Sequence, residues 1–188
     1  MRFLAGAFFT ALLASTGALA QSPFYSKLLA PDVTSPQEVV DRMLEIANVK
    51  PGETVYDLGC GQGRVLVTAV QRFHAKAVGV ELSDRLFRRA SDRVALLGLQ
   101  HQIKLIHGDL LEVDLSPADV VTIYLMTGSN ESLRPRLEKF LHPGARVVSH
   151  DYKVPGWVPA QVEEPEAASR SHKLYLYVMP PVKEAVQN

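Results

Sequence analysis

Cysteine is almost absent from this chain. Cys60 is the only one in 188 residues, so no internal disulfide framework can staple the fold. The six histidines stand at no spacing from it that would make a zinc site, and no metal is expected. An excess of charge of either sign is also missing. Lys and Arg total 20 and so do Asp and Glu, which removes any global electrostatic reason for nucleic acid or an anionic membrane surface to be the main partner. No internal repeat or low-complexity stretch is present. What remains is ordinary for a globular chain, 47% apolar and 21% charged, with a length that suits one domain and a sizeable core. A monomer is expected.

The first twenty residues stand apart. Arg2 precedes an uncharged stretch from Phe3 to Ala20 that ends in Ala18-Leu19-Ala20. This is the pattern of a secretory signal peptide, with cleavage expected before Gln21 and an exported or periplasmic product. The alternative is an uncleaved anchor, because about 18 apolar or small residues reach the short end of what spans a bilayer. Membrane association would then run through residues 3–20, with the domain facing the cytosol. The chain thus divides into a leader or anchor at 1–20, an irregular segment at 21–34, one folded domain at 35–180 and a loose tail at 181–188.

Ser35-Pro36-Gln37-Glu38 reads as a helix start, with Ser35 as N-cap, Pro36 in the first helical position and Glu38 closing a capping box. Helix is expected to about Ala47, since Val39, Val40, Met43, Leu44 and Ala47 share one face. After Pro51-Gly52, apolar runs of strand length alternate with helical patterns. Strand Thr54 to Leu58, helix Val65 to Phe73, strand Ala77 to Leu82 and helix Leu86 to Leu97 come first. Strands Ile103 to His107, Asp119 to Leu125, Ala145 to His150 and Lys173 to Met179 follow. A helix around Arg134 to Leu141 is expected between the second and third of these. Its start is placed near Arg134 because Pro135 in a helix interior costs about 3 kcal/mol.

The chemistry concentrates at strand ends. Asp57-Leu58-Gly59-Cys60-Gly61-Gln62-Gly63 joins a strand to a helix, placing backbone amides and a helix N-terminus at the sheet edge where open α/β folds bind ligands. A dinucleotide fingerprint wants glycines at the first, third and sixth positions, but the sixth position from Gly59 is Arg64. Glu81 ends the second strand about twenty residues beyond the loop, where an acid can accept from both ribose hydroxyls. Gly108-Asp109-Leu110 follows the third strand. Cys60, lacking a nearby histidine, reads as packing rather than as a nucleophile. Arg85, Arg88, Arg89 and Arg93 could track phosphates, but they also fit the solvated face opposite Leu86, Ala90, Val94 and Leu97.

Glycines at first, third and fifth positions after Asp57 resemble the first motif of class I S-adenosylmethionine-dependent methyltransferases. With Ser35-Pro36-Gln37, Ala118-Asp119-Val120-Val121-Thr122-Ile123-Tyr124-Leu125, Ser149-His150-Asp151-Tyr152 and Trp157, the chain from about Pro31 to Met179 resembles bacterial relatives of the mitochondrial ATP synthase c-subunit lysine methyltransferase. The resemblance implies a Rossmann-like α/β domain: a mostly parallel seven-stranded sheet, an antiparallel C-terminal strand and helices on both faces. It implies S-adenosyl-L-methionine as cofactor, held by Asp57, Gly59, Cys60, Gly61, Gly63, Glu81, Leu82, Asp109, Leu110 and Tyr124, with Asp109 facing the adenine amine. The acceptor it implies is a protein lysine; the alternatives are a methyltransferase or binder acting on nucleic acid or a small molecule, and a non-catalytic S-adenosylmethionine-binding module, with no nucleic acid expected on the charge balance above. No Asn-Pro-Pro-Tyr follows the fourth strand, which argues against amide or nucleobase methylation in that style. Tyr25, Tyr124, Thr127 and Trp157 are candidates for the substrate channel, and His150 and Asp151 for orienting the amine or receiving its proton. The chain departs from the family pattern at Gln62, Thr127 and Asp32-Val33-Thr34; the last two border the presumed substrate mouth.

Overall fold

A computed structural model describes residues 34–185; the leader, Tyr25 and the rest of the chain up to residue 33 lie outside the described residues, as do 186–188. The sheet grows from short runs of β-branched and aromatic residues, which suit a pleated surface buried on both sides. Along the chain come α1 (Gln37–Ile46), β1 (Thr54–Leu58), α2 (Arg64–Phe73), β2 (Lys76–Glu81), α3 (Asp84–Leu96), β3 (Ile103–His107), β4 (Val120–Ile123), α4 (Thr127–Phe140) and β5 (Arg146–His150). The short strands β6 (Trp157–Val158), β7 (Gln161–Glu163), β8 (Glu166–Ala167) and β9 (Arg170–Ser171) follow, then β10 (Leu174–Val178) and β11 (Val182–Lys183).

Seven strands form one sheet in the order β3-β2-β1-β4-β5-β10-β7. The first five are parallel, and β10 runs antiparallel to β5, so the Rossmann-like sheet read from the sequence is the one formed. Because connections between parallel strands must cross over the sheet, the loops after β1 to β5 all emerge at one edge. The strand order reverses between β1 and β4, which opens a crevice there.

Alternation along the strands sends core side chains to the two faces of the sheet, where they form three clusters, one of them joining Leu66 and Val70 of α2 to Ala77, Val94 and Ile103. Val55, Val120, Val148 and Leu174 face α1 and α2, while Tyr56, Leu58, Val121, Ile123 and Tyr177 face Leu133 and Leu137 of α4. Each such side chain, fully buried, contributes about 1.5–3 kcal/mol.

Three expectations need correction. Helix α1 has Pro36, not Ser35, at its N-cap and no side-chain cap; the Ser35 hydroxyl is drawn instead to the buried His150 ring, 2.8 Å from Nδ1. Helix α4 begins at Thr127, seven residues before Arg134, and carries Pro135 in its interior. The proline sits on the exposed side with Glu131, whose freed carbonyl can turn to water. Buried Asn130 meanwhile anchors the first turn, its Nδ2 donating to the carbonyls of Tyr152 and Lys153 at 3.1 Å each. Lastly, part of the supposed tail is ordered: Val182 and Lys183 pair with Val158 and Trp157.

Candidate active site

At the crevice lies a cleft of about 440 Å³, lined from Thr34 and Ser35 through the glycine loop and Glu81 to Asp109, Tyr124 and Ser129. Its volume falls within the range of small-molecule sites. The loop after β1 is pinned to β2, since the amides of Gly59 and Cys60 both donate to the Val80 carbonyl at 2.8 and 3.0 Å. Gly59, Gly61 and Gly63 hold φ of +84°, +55° and +76°, a region that other residues enter at a cost. A Cβ on Gly61 would meet no protein atom within 4 Å, so this backbone faces the open cleft.

Glu81 closes the loop from the next strand. It is 8% exposed, one carboxylate oxygen accepts from the Gly61 amide at 2.8 Å and the other from the Ser83 amide at 2.8 Å. Two amide bonds leave about half the lone pairs of an ionised carboxylate for a ligand. Asp57 lies beneath, also lining the cleft. Burial pushes its carboxyl up to about 7, with Glu81 adding to the rise, against the hydrogen bond from Thr122. That bond, 2.8 Å from Thr122 Oγ1, joins direct neighbours of β1 and β4. Asp109 lines the far end with Leu82 and Leu110, and its Oδ1 accepts from the Leu111 amide at 2.8 Å, a local turn bond. Ser129 is buried, lines the cleft, and its hydroxyl has no protein partner among the described residues.

The mouth lies beside Tyr124, which both lines the cleft and donates to Asp151 Oδ2 at 3.0 Å. Arg170, from β9, donates to the same oxygen at 2.8 Å. Burial works to raise the Asp151 carboxyl, but Arg170 and the Lys173 amide outweigh it and hold the group below its usual range. Asp151 turns the chain with φ of +60°, a conformation Asp tolerates better than most residues. The His150 ring lies against Tyr124 with centroids 3.9 Å apart, and burial brings it down to about 4, so it is neutral.

The structure thus gathers Asp57, Gly59, Cys60, Gly61, Glu81, Leu82, Asp109, Leu110 and Tyr124 around one cleft. Gly63 acts one step back, as the left-handed N-cap of α2. Cys60 is buried and its thiol is pushed up by burial and by Asp57 and Glu81, which agrees with packing. Trp157 is misplaced by the sequence reading: it is fully buried in the core against Tyr177, its indole N–H bound to Glu138, away from the mouth. Thr127 is exposed at the first turn of α4 and is not part of the lining. Unforeseen from sequence were Arg64, Ser129, Arg170 and His172. Only Arg64, directly after the glycine loop, had a positional signal; the others depend on how distant segments pair.

Comparison with known proteins agrees with this geometry. The model of the ANTKMT methyltransferase domain family matches residues 57–161. A protein-lysine N-methyltransferase of Saccharolobus islandicus is 47% identical over 79% of this chain and 93% of its own length. The adenine nucleotide translocase lysine N-methyltransferase of Mus musculus is 31% identical over 72% of this chain and 59% of its own length. Among solved structures, an RNA methyltransferase from Salinibacter ruber in complex with S-adenosyl-L-homocysteine superposes with a TM-score of 0.76 at 36% identity, covering 83% of this chain and all of that one. A pinned glycine loop, an acid closing it from the neighbouring strand and a matching family model lead to one assignment: the chain belongs to the ANTKMT methyltransferase family and is an enzyme whose methyl donor is S-adenosylmethionine.

Proposed function

We propose that the acceptor is the ε-amine of a protein lysine, admitted past Tyr124 to Asp151. The observation that carries this reading is the ionised carboxylate of Asp151, which lies outside the cleft lining but is tied to it through the Tyr124 hydroxyl and already holds the exposed guanidinium of Arg170. A lysine ammonium is a cation that can take the place of Arg170. The name of the Saccharolobus relative supports the same acceptor class.

When bound, S-adenosylmethionine supplies an electrophilic methyl group on sulfur. The glycine loop and Glu81 would hold its ribose, Asp109 and Leu110 its base, and the unpartnered Ser129 hydroxyl would be free to bind a further polar group of it. Lysine must lose its proton first, which at neutral pH costs about 4–5 kcal/mol from a free pKa near 10.4. The Tyr124 ring lowers that cost by excluding water. Asp151 orients the ammonium, and because its negative charge favours the protonated amine and its own carboxyl is held below the usual range, the proton leaves to solvent and not to Asp151.

Incubation with labelled donor and lysine-bearing proteins, followed by mass spectrometry, tests the reading: methyl on lysine is expected. Methyl transferred to RNA and to no protein would replace it with the second reading, favoured by the name of the Salinibacter structure. For residues 1–20 we retain export or anchoring, which N-terminal sequencing of the native protein decides.

A further inference from the structure

We propose that His150, Asp151 and His172 form a site for one divalent transition-metal ion of the zinc type, bound through His150 Nε2, His172 Nδ1 and Asp151 Oδ2. These three atoms come from the end of β5 and the segment leading into β10, brought together by the antiparallel register that sets Leu174 opposite His150. His150 Nε2 lies 2.9 Å from His172 Nδ1, and Asp151 Oδ2 lies 3.4 Å from the first and 3.8 Å from the second. Ligands at about 2.0–2.2 Å from a tetrahedral ion stand about 3.3–3.6 Å from one another. The triangle brackets that spacing, and the two rings need to part by only a few tenths of an ångström.

The opposite side of each ligand is already fixed. Ser35 Oγ holds His150 Nδ1 at 2.8 Å, the Ala167 carbonyl holds His172 Nε2 at 3.2 Å, and the Lys173 amide donates to Asp151 Oδ1 at 3.0 Å. Metal-binding histidines characteristically have such a partner on the second nitrogen. The carbonyl only accepts, so His172 carries its proton on Nε2 and leaves Nδ1 as a lone pair. His150 therefore donates from Nε2 to His172 in the free protein, with Ser35 donating to Nδ1. An ion reverses this arrangement without net proton loss: the His150 proton moves to Nδ1 and is donated to Ser35, whose hydroxyl serves either way.

Access and competition also fit. Both histidines are buried, while Asp151 is partly open and its Oδ2 carries the half-exposed Arg170 guanidinium. Arg170 is a cation on the very Asp151 oxygen an ion would take, an oxygen that also accepts from the Tyr124 hydroxyl, and it is carried by the two-residue strand β9. Two imidazoles with one carboxylate select zinc, cobalt or nickel over magnesium or calcium.

The full chain, stripped with chelator, is titrated with Co²⁺ and with Zn²⁺ by calorimetry and visible absorption, in the absence of acceptor and with no methyl transfer in the readout; an ion on Asp151 Oδ2 would exclude a lysine ammonium from the same oxygen, so the ion and the acceptor are alternative occupants, each with its own test. One equivalent is expected, with the intense absorption of four-coordinate Co²⁺. His172→Asn should weaken binding at least about 100-fold, beyond the 10–100-fold typical of an outer partner, and Arg170→Ala should tighten it. No binding by the wild-type chain, equal binding by folded His172→Asn, or weaker binding by Arg170→Ala would each overturn the site. Should His172→Asn fail to fold, the wild-type titration and the surface variant Arg170→Ala decide alone.

Discussion

Replacing Glu81 with Gln changes one oxygen to an NH₂ group and removes a charge while keeping the shape. In the wild type both carboxylate oxygens accept from backbone amides, Gly61 on one side and Ser83 on the other, at 2.8 Å each. Whichever way the glutamine amide turns, its NH₂ faces one of these N–H donors. One charge-assisted bond is lost and the other becomes neutral, for a cost of about 1.5–3 kcal/mol. For a chain of this size that lowers the melting temperature by about 3–12 °C. The same carboxylate is our ribose ligand, so cofactor affinity should fall by more than the loop's loosening alone explains, about 10–100-fold at 1.4 kcal/mol per decade. Calorimetry with S-adenosylhomocysteine and thermal unfolding of the ligand-free protein separate the two effects. Unchanged affinity alongside a lowered melting temperature would make Glu81 a loop clamp and nothing more; no change in either would refute the hydrogen-bond account itself.

Gly79 sits mid-strand in β2, where an added Cβ would lie 2.4 Å from Leu66 Cδ1 and 2.8 Å from Cys60 Sγ. Gly79→Ala should therefore cost about 1–3 kcal/mol in urea unfolding through overpacking; an unaltered midpoint would contradict this. Asp57, raised from 3.8 to about 7 by burial, keeps a proton in the folded state that the unfolded chain releases. Its contribution to stability is therefore lost as pH rises from about 4 to 7, by up to about 1.4 kcal/mol per pH unit. In ligand-free denaturation, Asp57→Asn should gain on wild type across that window, and a constant difference would disprove the raised value. Asp151→Asn retains the left-handed turn but loses the charge, so turnover should drop about tenfold or more, one charged hydrogen bond's worth, with cofactor affinity intact. Equal kcat values would make Asp151 structural.

The cofactor half was legible because its signals are local: strand, glycines and helix follow one another within residues 54–73, and Glu81 and Asp109 each mark a strand end. The acceptor half was not. Strands β7, β8 and β9 are two or three residues long and polar, with no run over which alternation can show. His172 joins His150 only through the β5–β10 register, which no periodicity reveals. Trp157 entered the substrate channel only through the family resemblance, and the chain instead buries it against Tyr177. Pro135 misled by its ordinary cost, since tertiary anchoring at Asn130 overrides local propensity.

Both halves hang from the same sheet edge, yet they draw mainly on different parts of the chain: the donor side on residues 57–111 with additions from residues 34–43 and 124–129, and the Asp151–Arg170 pair on residues 150–172. On the acceptor reading proposed above, exchanging the latter stretch between relatives should change the acceptor and leave donor affinity alone, provided Asn130 still finds the carbonyls of residues 152 and 153 to hold the graft in place.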